Sequence, residues 1–516
     1  MRSYNVARNA AVGILCQGFN LLLTFVVRTV FINVLTDEYL GITALFTSIL
    51  SILSLSELGL SSAITFALYK PIAESDKIKI MALMRFYRKA YIVVGTLFLT
   101  LGVALIPMLP YLMNGSTNLV NIYIIYGMYL AQMVFSYWFL AYKSVLLTAS
   151  QKEYLVSISG WCIKTVAGIL QIIFILWFND NPELAFYVYS FLGALTTLAT
   201  NILTAHVVDE LFPYLKDMEV NFISKTERMD IFKNMFGVAI YRISNVVNYS
   251  LDSIIVSTYI GLATVGIYSN YVLINKGIST ILGAVFNPFT ASIGDLNASE
   301  TKEKKEFVFN TLNLLFFWIC GLCGVFMWVL FNPFIGGLWL DNNWIFTSSI
   351  VVAMVLKFWV DAFMGAVIRF REASGLFWNT RYRYILTPLV NVSVSLYLVA
   401  VCEWGILGVL IGSISSECIM VIIDPIIVFR NVFIKSPKRF YVNYFAYMIV
   451  AIVTALFTEW ICSFINLYTM AGFFLGVLAC LLVPNVFWYL LYSRSKEFLY
   501  LQTICVNITK SQFCKK

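Results

Sequence analysis

Apolar runs long enough to cross a bilayer follow one another almost from end to end of the chain, broken only by short polar clusters. About 20 predominantly apolar residues span the hydrocarbon layer as a helix. On that criterion the pattern predicts fourteen spans, at residues 10–35, 40–68, 88–113, 119–147, 154–178, 184–211, 232–259, 264–293, 306–331, 345–370, 382–402, 405–429, 441–463 and 467–492. The predicted fold class is an all-α polytopic membrane protein.

The polar clusters carry a second pattern. Connections after even-numbered spans hold Lys70, Lys77, Lys79, Arg85, Arg88 and Lys89, then Lys152, then Lys216, Lys225, Arg228 and Lys233. Later ones hold Lys302, Lys304 and Lys305, then Arg369, Arg371, Arg381 and Arg383, then Arg430, Lys435, Lys438 and Arg439. Connections after odd-numbered spans hold no Lys or Arg; they contain Asp37, Glu38, Asp180, Glu183, Asp341 and Glu403. Basic residues accumulate in cytoplasmic loops, so both termini are expected in the cytoplasm. The segment from Met1 to Arg8 is polar and leads into a long span, without the short apolar core or cleavage site of a signal peptide.

A third pattern is internal repetition. Sliding the sequence on itself by 225 residues lays Asn9 on Asn234, Gln17 on Arg242, Asn20 on Asn245, and Gly41-Ile42 on Gly266-Ile267. Spans one to six then map onto spans seven to twelve. Six crossings return the chain to the same side, so the halves share an orientation and a pseudo-twofold axis along the membrane normal. The expected division is an N-lobe at 1–215, a C-lobe at 216–435, and two further spans with a cytoplasmic tail at 436–516. The two six-helix lobes would enclose a central cavity.

Composition agrees and excludes other classes. Of 516 residues, 60% are hydrophobic and 12% charged, against roughly 25% charged in soluble domains. Soluble enzymes, secreted disulfide scaffolds and nucleic-acid binders are excluded. The net charge of +8 would suggest a polyanionic partner in a soluble chain, but here most of it lies in loops, where it sets orientation and meets lipid head groups. Ten cysteines show no disulfide or metal-ligand framework, and Cys320 and Cys323 lie inside an apolar run, where helix packing accounts for them. No cofactor or metal is expected.

Ionisable groups at bilayer depth cost at least about 2.5 kcal/mol each and mark candidate sites. The basic ones are Arg28, Lys164, Arg242, Lys276 and Lys357; the acidic ones are Glu57, Asp252, Asp361 and Glu417. Lys143 and Asp424 lie near cytoplasmic span ends, within snorkelling reach of water. Gln17, Asn20, Thr24 and Arg28 form one helical stripe. Arg242, Asn245, Tyr249 and Asp252 form its equivalent in span seven. Lipid penalises both stripes, so they are expected to face a shared water-filled cavity. Cations there suit an anionic, phosphate-bearing substrate, Arg as a fork and Lys as a point charge. Lys357 and Asp361, four residues apart, form either an intrahelical ion pair or part of the site. Arg242 also has snorkelling open to it, and Glu417 bracing of the second lobe. The candidate substrate-binding residues are thus Arg28, Lys276, Arg242, Lys164, Lys357, Asn20, Asn245 and Gln17. Asp252, Glu57, Asp361 and Glu417 are candidates for carrying a coupling ion or for charge pairing.

Short motifs carry a resemblance. Arg28-Thr29-Val30-Phe31-Ile32, Glu38-Tyr39-Leu40-Gly41-Ile42, Ser56-Glu57-Leu58-Gly59-Leu60 and Tyr69-Lys70-Pro71-Ile72-Ala73-Glu74 look like those of polysaccharide-transport flippases in the multidrug/oligosaccharidyl-lipid/polysaccharide (MOP) exporter superfamily. The resemblance implies a two-lobed protein of the bacterial plasma membrane, working as a monomer by alternating access, coupled to an ion gradient or membrane potential. Its substrate would be an undecaprenyl-pyrophosphate-linked oligosaccharide, moved from the inner to the outer leaflet, with a polymerase and glycosyltransferases of the same pathway as possible partners. A lipid II flippase and a cation-coupled multidrug exporter of the superfamily are the alternatives. An enzyme acting on such lipids would be expected to place its catalytic groups in a sizeable loop, and the loops after odd-numbered spans are only a few residues long.

Overall fold

The computed structural model describes residues 2–53, 60–113, 119–216, 250–376 and 378–503, and among them it is helical with no strand. Eleven helices are long and apolar enough to cross a membrane, and they coincide with predicted spans one, three, five, six and eight to fourteen. Predicted span four is a bent pair, Ile122–Trp138 and Ala141–Ala149, with 46° between its halves. Predicted spans two and seven run into residues 54–59 and 217–249, outside the described residues. The described spans therefore number eleven, or twelve with the bent pair.

The chain forms two compact units, residues 1–269 and 270–516. The first holds α1 (Arg2–Val34), α2 (Asp37–Leu53), α3 (Leu60–Ala73), α4 (Lys77–Leu105), α5 (Leu109–Leu112), α6 (Ile122–Trp138), α7 (Ser144–Ala149), α8 (Glu153–Trp177), α9 (Pro182–Leu211), α10 (250–259) and the start of α11 (Leu262–Ser299). Caps set several of these boundaries. The side chain of Asn121 accepts from the backbone N–H groups of Tyr123 and Ile124, and that of Asn181 from Leu184 just ahead of Pro182, satisfying donors that a helix start leaves unpaired. Small residues set the packing distances. A Cβ at Gly168 on α8 would stand 3.1 Å from a Leu23 methyl on α1, so these two helices lie in close contact. Tyr87, Tyr91, Phe98 and Tyr137 join α4 to α6 through ring contacts.

The starts of α2 and α11 cross at two glycines. A methyl on Gly41 would overlap the carbonyl oxygen of Leu262, and one on Gly266 would overlap that of Asp37. The 225-residue offset that relates Gly41 to Gly266 also relates Asp37 to Leu262, so the crossing is reciprocal. Because the obstacle is backbone, Gly41→Ala and Gly266→Ala should each cost about 1–3 kcal/mol. Gly127→Ala on α6, where a Cβ meets nothing within 4 Å, should be neutral or stabilising. Thermal unfolding of the purified variants in detergent checks this, and equal melting points for all three would refute the crossing.

The second unit holds the rest of α11 with α12 (Lys302–Pro333), α13 (Ser348–Ala362), α14 (Gly365–Ala373), α15 (Arg383–Leu396), α16 (Gly405–Val428), α17 (Lys438–Cys462) and α18 (Met470–Tyr492). Phe309 on α12 is a hub, meeting Phe370, Phe429, Phe433 and Phe440 edge-on. A Cβ at Gly412 on α16 would strike Ser395 on α15, which lets these two helices pack closely.

Two expectations about charge are corrected. Position near a span end predicts that Lys143 and Asp424 reach water, and neither does. Lys143 is 7% exposed, and its Nζ donates to both Asp209 carboxylate oxygens on α9, at 2.5 and 2.6 Å. Asp424 on α16 is fully buried; it accepts from Arg371 Nη1 at 2.5 Å and lies 3.2 Å from Arg383 Nε. The reason is that predicted spans four and ten are both broken. Leu140, with φ 61°, interrupts the chain between α6 and α7, and a short turn separates α13 from α14. The segment after each break carries a cation inward onto an aspartate near the end of predicted span six or twelve. Arg371 and Arg383, grouped with the cytoplasmic loop charges by their position, are 1% and 6% exposed.

Candidate substrate-binding cavity

Polar stripes on five helices of the first unit converge. Asn20, Thr24 and Arg28 come from α1; Thr43 and Thr47 from α2; Tyr129 and Gln132 from α6; Lys164 and Gln171 from α8; Tyr189, Gly193 and Thr196 from α9. Together they line two adjoining cavities of about 300 and 290 Å³ that share Gln132, Gln171, Tyr189 and Gly193. The spacings explain the convergence. Residues three or four apart share one helix face, so each helix turns its polar stripe to one side and its apolar remainder outward. The contact at Gly168 then draws the Lys164 stripe beside the Arg28 stripe.

Arg28 is anchored. Its Nη2 donates to Ser269 Oγ at the start of α11, and Ser269 Oγ donates in turn to the Gly266 carbonyl at 2.6 Å. Gln171 Nε2 donates to the Tyr189 carbonyl at 3.3 Å, tying α8 to α9. Among the described residues, no carboxylate lines either cavity. The described lining is therefore cationic at one end and neutral at the other, and it suits an anion.

Three of the sequence-predicted binding residues, Arg28, Lys164 and Asn20, are thus brought together. Gln17 lies on α1 and is exposed, but it does not line either cavity. Lys276 lies on α11 in the second unit and is exposed. Arg242, Asn245 and Glu57 fall outside the described residues. Asp252 on α10 is 2% exposed.

Lys357 and Asp361 lie a helical turn apart on α13, both half-buried. Asp361 sits in the field of Arg383 first, then of Lys357, Arg369 and Arg371, so it adjoins the buried network around Asp424. Glu417 on α16 is half-buried in the same unit. Gln171, Tyr129, Tyr189 and Thr196 were not among the candidates. A signal for Gln171 existed: Lys164, Gly168 and Gln171 recur at four and three residues, with the glycine marking the face that packs closely.

Comparison with known proteins places this geometry. The structure resembles the lipid II flippase MurJ in an inward closed conformation, with TM-score 0.66, 13% identity, and 94% of this chain and 99% of that one covered. It also resembles a multidrug resistance MATE family transporter of the MOP superfamily in an inward-facing conformation, with TM-score 0.64, 15% identity, and 82% and 98% covered. A mutant Vibrio cholerae MATE transporter follows with TM-score 0.54, 12% identity, and 84% and 100% covered. At these identities the likeness is one of fold. No curated protein matches in sequence. Residues 6–293, more than half of the chain, match the polysaccharide biosynthesis protein family, and the chain accordingly belongs to that family, built on the fold of the MOP-superfamily transporters.

Proposed function

We propose that this protein is a flippase that moves an undecaprenyl-pyrophosphate-linked oligosaccharide from the inner to the outer leaflet by alternating access. The observation that carries this reading is the cavity that Arg28 and Lys164 line, with no carboxylate among its described lining residues. A guanidinium offers a planar fork of donors and an ammonium a compact charge, which together suit the two phosphates of a pyrophosphate. The polyprenyl tail remains in lipid, along α17 and α18.

Lys276, Arg242, Asn245 and Gln17 extend the binding surface, and Lys357 either joins it or pairs with Asp361. Asp252, Glu57, Asp361 and Glu417 either carry a coupling ion or balance these cations. The protein works as a monomer in the bacterial plasma membrane with both termini cytoplasmic, alongside a polymerase and glycosyltransferases, and itself catalyses no reaction. The lobes of the transport cycle are 1–215 and 216–435, with 436–516 outside the repeat.

A cation-coupled exporter of cationic drugs would place acids against its cargo, which the described cavity does not. Lipid II shares the pyrophosphate. Reconstitution into liposomes carrying fluorescent polyprenyl-pyrophosphate glycan in one leaflet is the test. Transfer to the other leaflet under an imposed proton or sodium gradient is expected, faster for the glycan lipid than for lipid II. Absence of transfer would overturn the proposal, and faster lipid II transfer would replace it with the lipid II reading.

A further inference from the structure

The two adjoining cavities differ in charge. At one end Arg28 and Lys164 present only donors. At the other, Thr43 and Thr47 lie one turn apart on α2, and each donates its hydroxyl hydrogen to the carbonyl four residues back, at 3.1 and 2.7 Å. A hydroxyl committed in that way can only accept from a ligand. The second end carries no charged side chain among its described lining residues, and Gln132 and Gln171 stand at the junction of the two. A ligand matching both ends has an anionic group joined directly to a neutral, hydroxyl-bearing group, which can both donate to Thr43 and Thr47 and accept from the amides and hydroxyls beside them.

Resting on the reading of the cationic end as a phosphate site, we infer that the Thr43–Thr47 end is a sugar subsite that selects a neutral, hydroxyl-bearing sugar bonded to the phosphate. A uronic acid in the same place buries a carboxylate charge among hydroxyl and amide groups, with no cation among the described lining residues of this end to pair with it. Thr43 and Thr47 are specificity-determining residues, and the phosphate end supplies affinity without sugar preference.

The test uses the full-length protein in nanodiscs and three soluble probes: a short-chain prenyl diphosphate, its glucosyl derivative and its glucuronosyl derivative. Wild type is expected to bind the glucosyl probe about tenfold more tightly than the bare diphosphate, as two modest hydrogen bonds would give. The glucuronosyl probe should show no such gain. The double variant Thr43→Val, Thr47→Val keeps side-chain shape and lets each helix keep its backbone bonds. It should erase the glucosyl margin while binding bare diphosphate as wild type does. A margin that persists in the double variant, or a glucuronosyl probe bound as tightly as the glucosyl one, overturns the subsite. Arg28→Ala separates the two readings: it should weaken all three probes together, and if it leaves bare diphosphate binding unchanged, the phosphate site itself fails.

Discussion

Arg28→Ala should reduce transport of the lipid-linked glycan by about 100-fold or more while leaving the folded protein intact. A charge-assisted hydrogen bond contributes about 1.5–3 kcal/mol, and a fork makes two, so its removal is worth at least about 3 kcal/mol of substrate binding. Stability should change little. Arg28 donates to Ser269, and Ser269 keeps its own bond to the Gly266 carbonyl, so that hydroxyl stays satisfied in the alanine variant. Arg28→Lys keeps the charge and loses the fork, and it should retain about a tenth of the activity if two parallel bonds are made. Glycan export in a strain lacking the native gene, scored against membrane levels of each variant, decides the matter. Undiminished export by Arg28→Ala would remove this residue from the site.

The second large effect is on stability. Asp424→Asn should destabilise the second unit by about 3–5 kcal/mol, because one buried carboxylate stands between two buried guanidiniums. Arg371 is 1% exposed and Arg383 6%, with Arg383 4.6 Å and Arg371 5.9 Å from the ring centroid of Tyr384. Neither can turn to water when the carboxylate is neutralised. Glu372, 3.9 Å from Arg371, compensates only part of the lost charge. The parallel variant Asp209→Asn strands one cation, Lys143, rather than two, beside a partner side chain that is 30% exposed, and the loss should be smaller. Replacing the set with apolar residues, Asp424→Leu with Arg371→Met and Arg383→Met, should recover much of the stability, since breaking a buried pair costs more than removing it. Thermal unfolding in detergent reads all three. A melting point for Asp424→Asn equal to wild type would show that the network is not a structural clamp.

Both effects depend on distinguishing charges that serve transport from charges that hold helices together, and the two kinds were unequally legible. Arg28 and Asn20 could be read from the sequence, because their spacing in a single apolar span defines a stripe whatever its neighbours are. Lys164 was found as a cation at bilayer depth, but its partners were not: Gln171 and Tyr189 are uncharged and ordinary in an apolar helix. They acquire a role only because the Gly168 contact brings α8 against α1 and the polar faces of five helices meet. Lys143, Arg371, Arg383 and Asp424 are placed at or within reach of water by their position near predicted loops. Their burial follows from helix breaks at 139–143 and 363–364, which average hydropathy does not register.

The sequence by itself determined that this is a helical membrane protein and where most of its spans begin and end. Crossing a bilayer is a local requirement, met by each run of apolar residues independently of the others. It also determined a family, through motifs that lie close together in the chain. Only the tertiary structure decided which polar residues share a cavity, that a cationic end adjoins one whose described lining is uncharged, and which cations are locked to aspartates. Those are properties of pairs of helices far apart in sequence, whose relative rotation and depth are set by packing at a few small residues, and hydropathy along one chain carries no information about rotation.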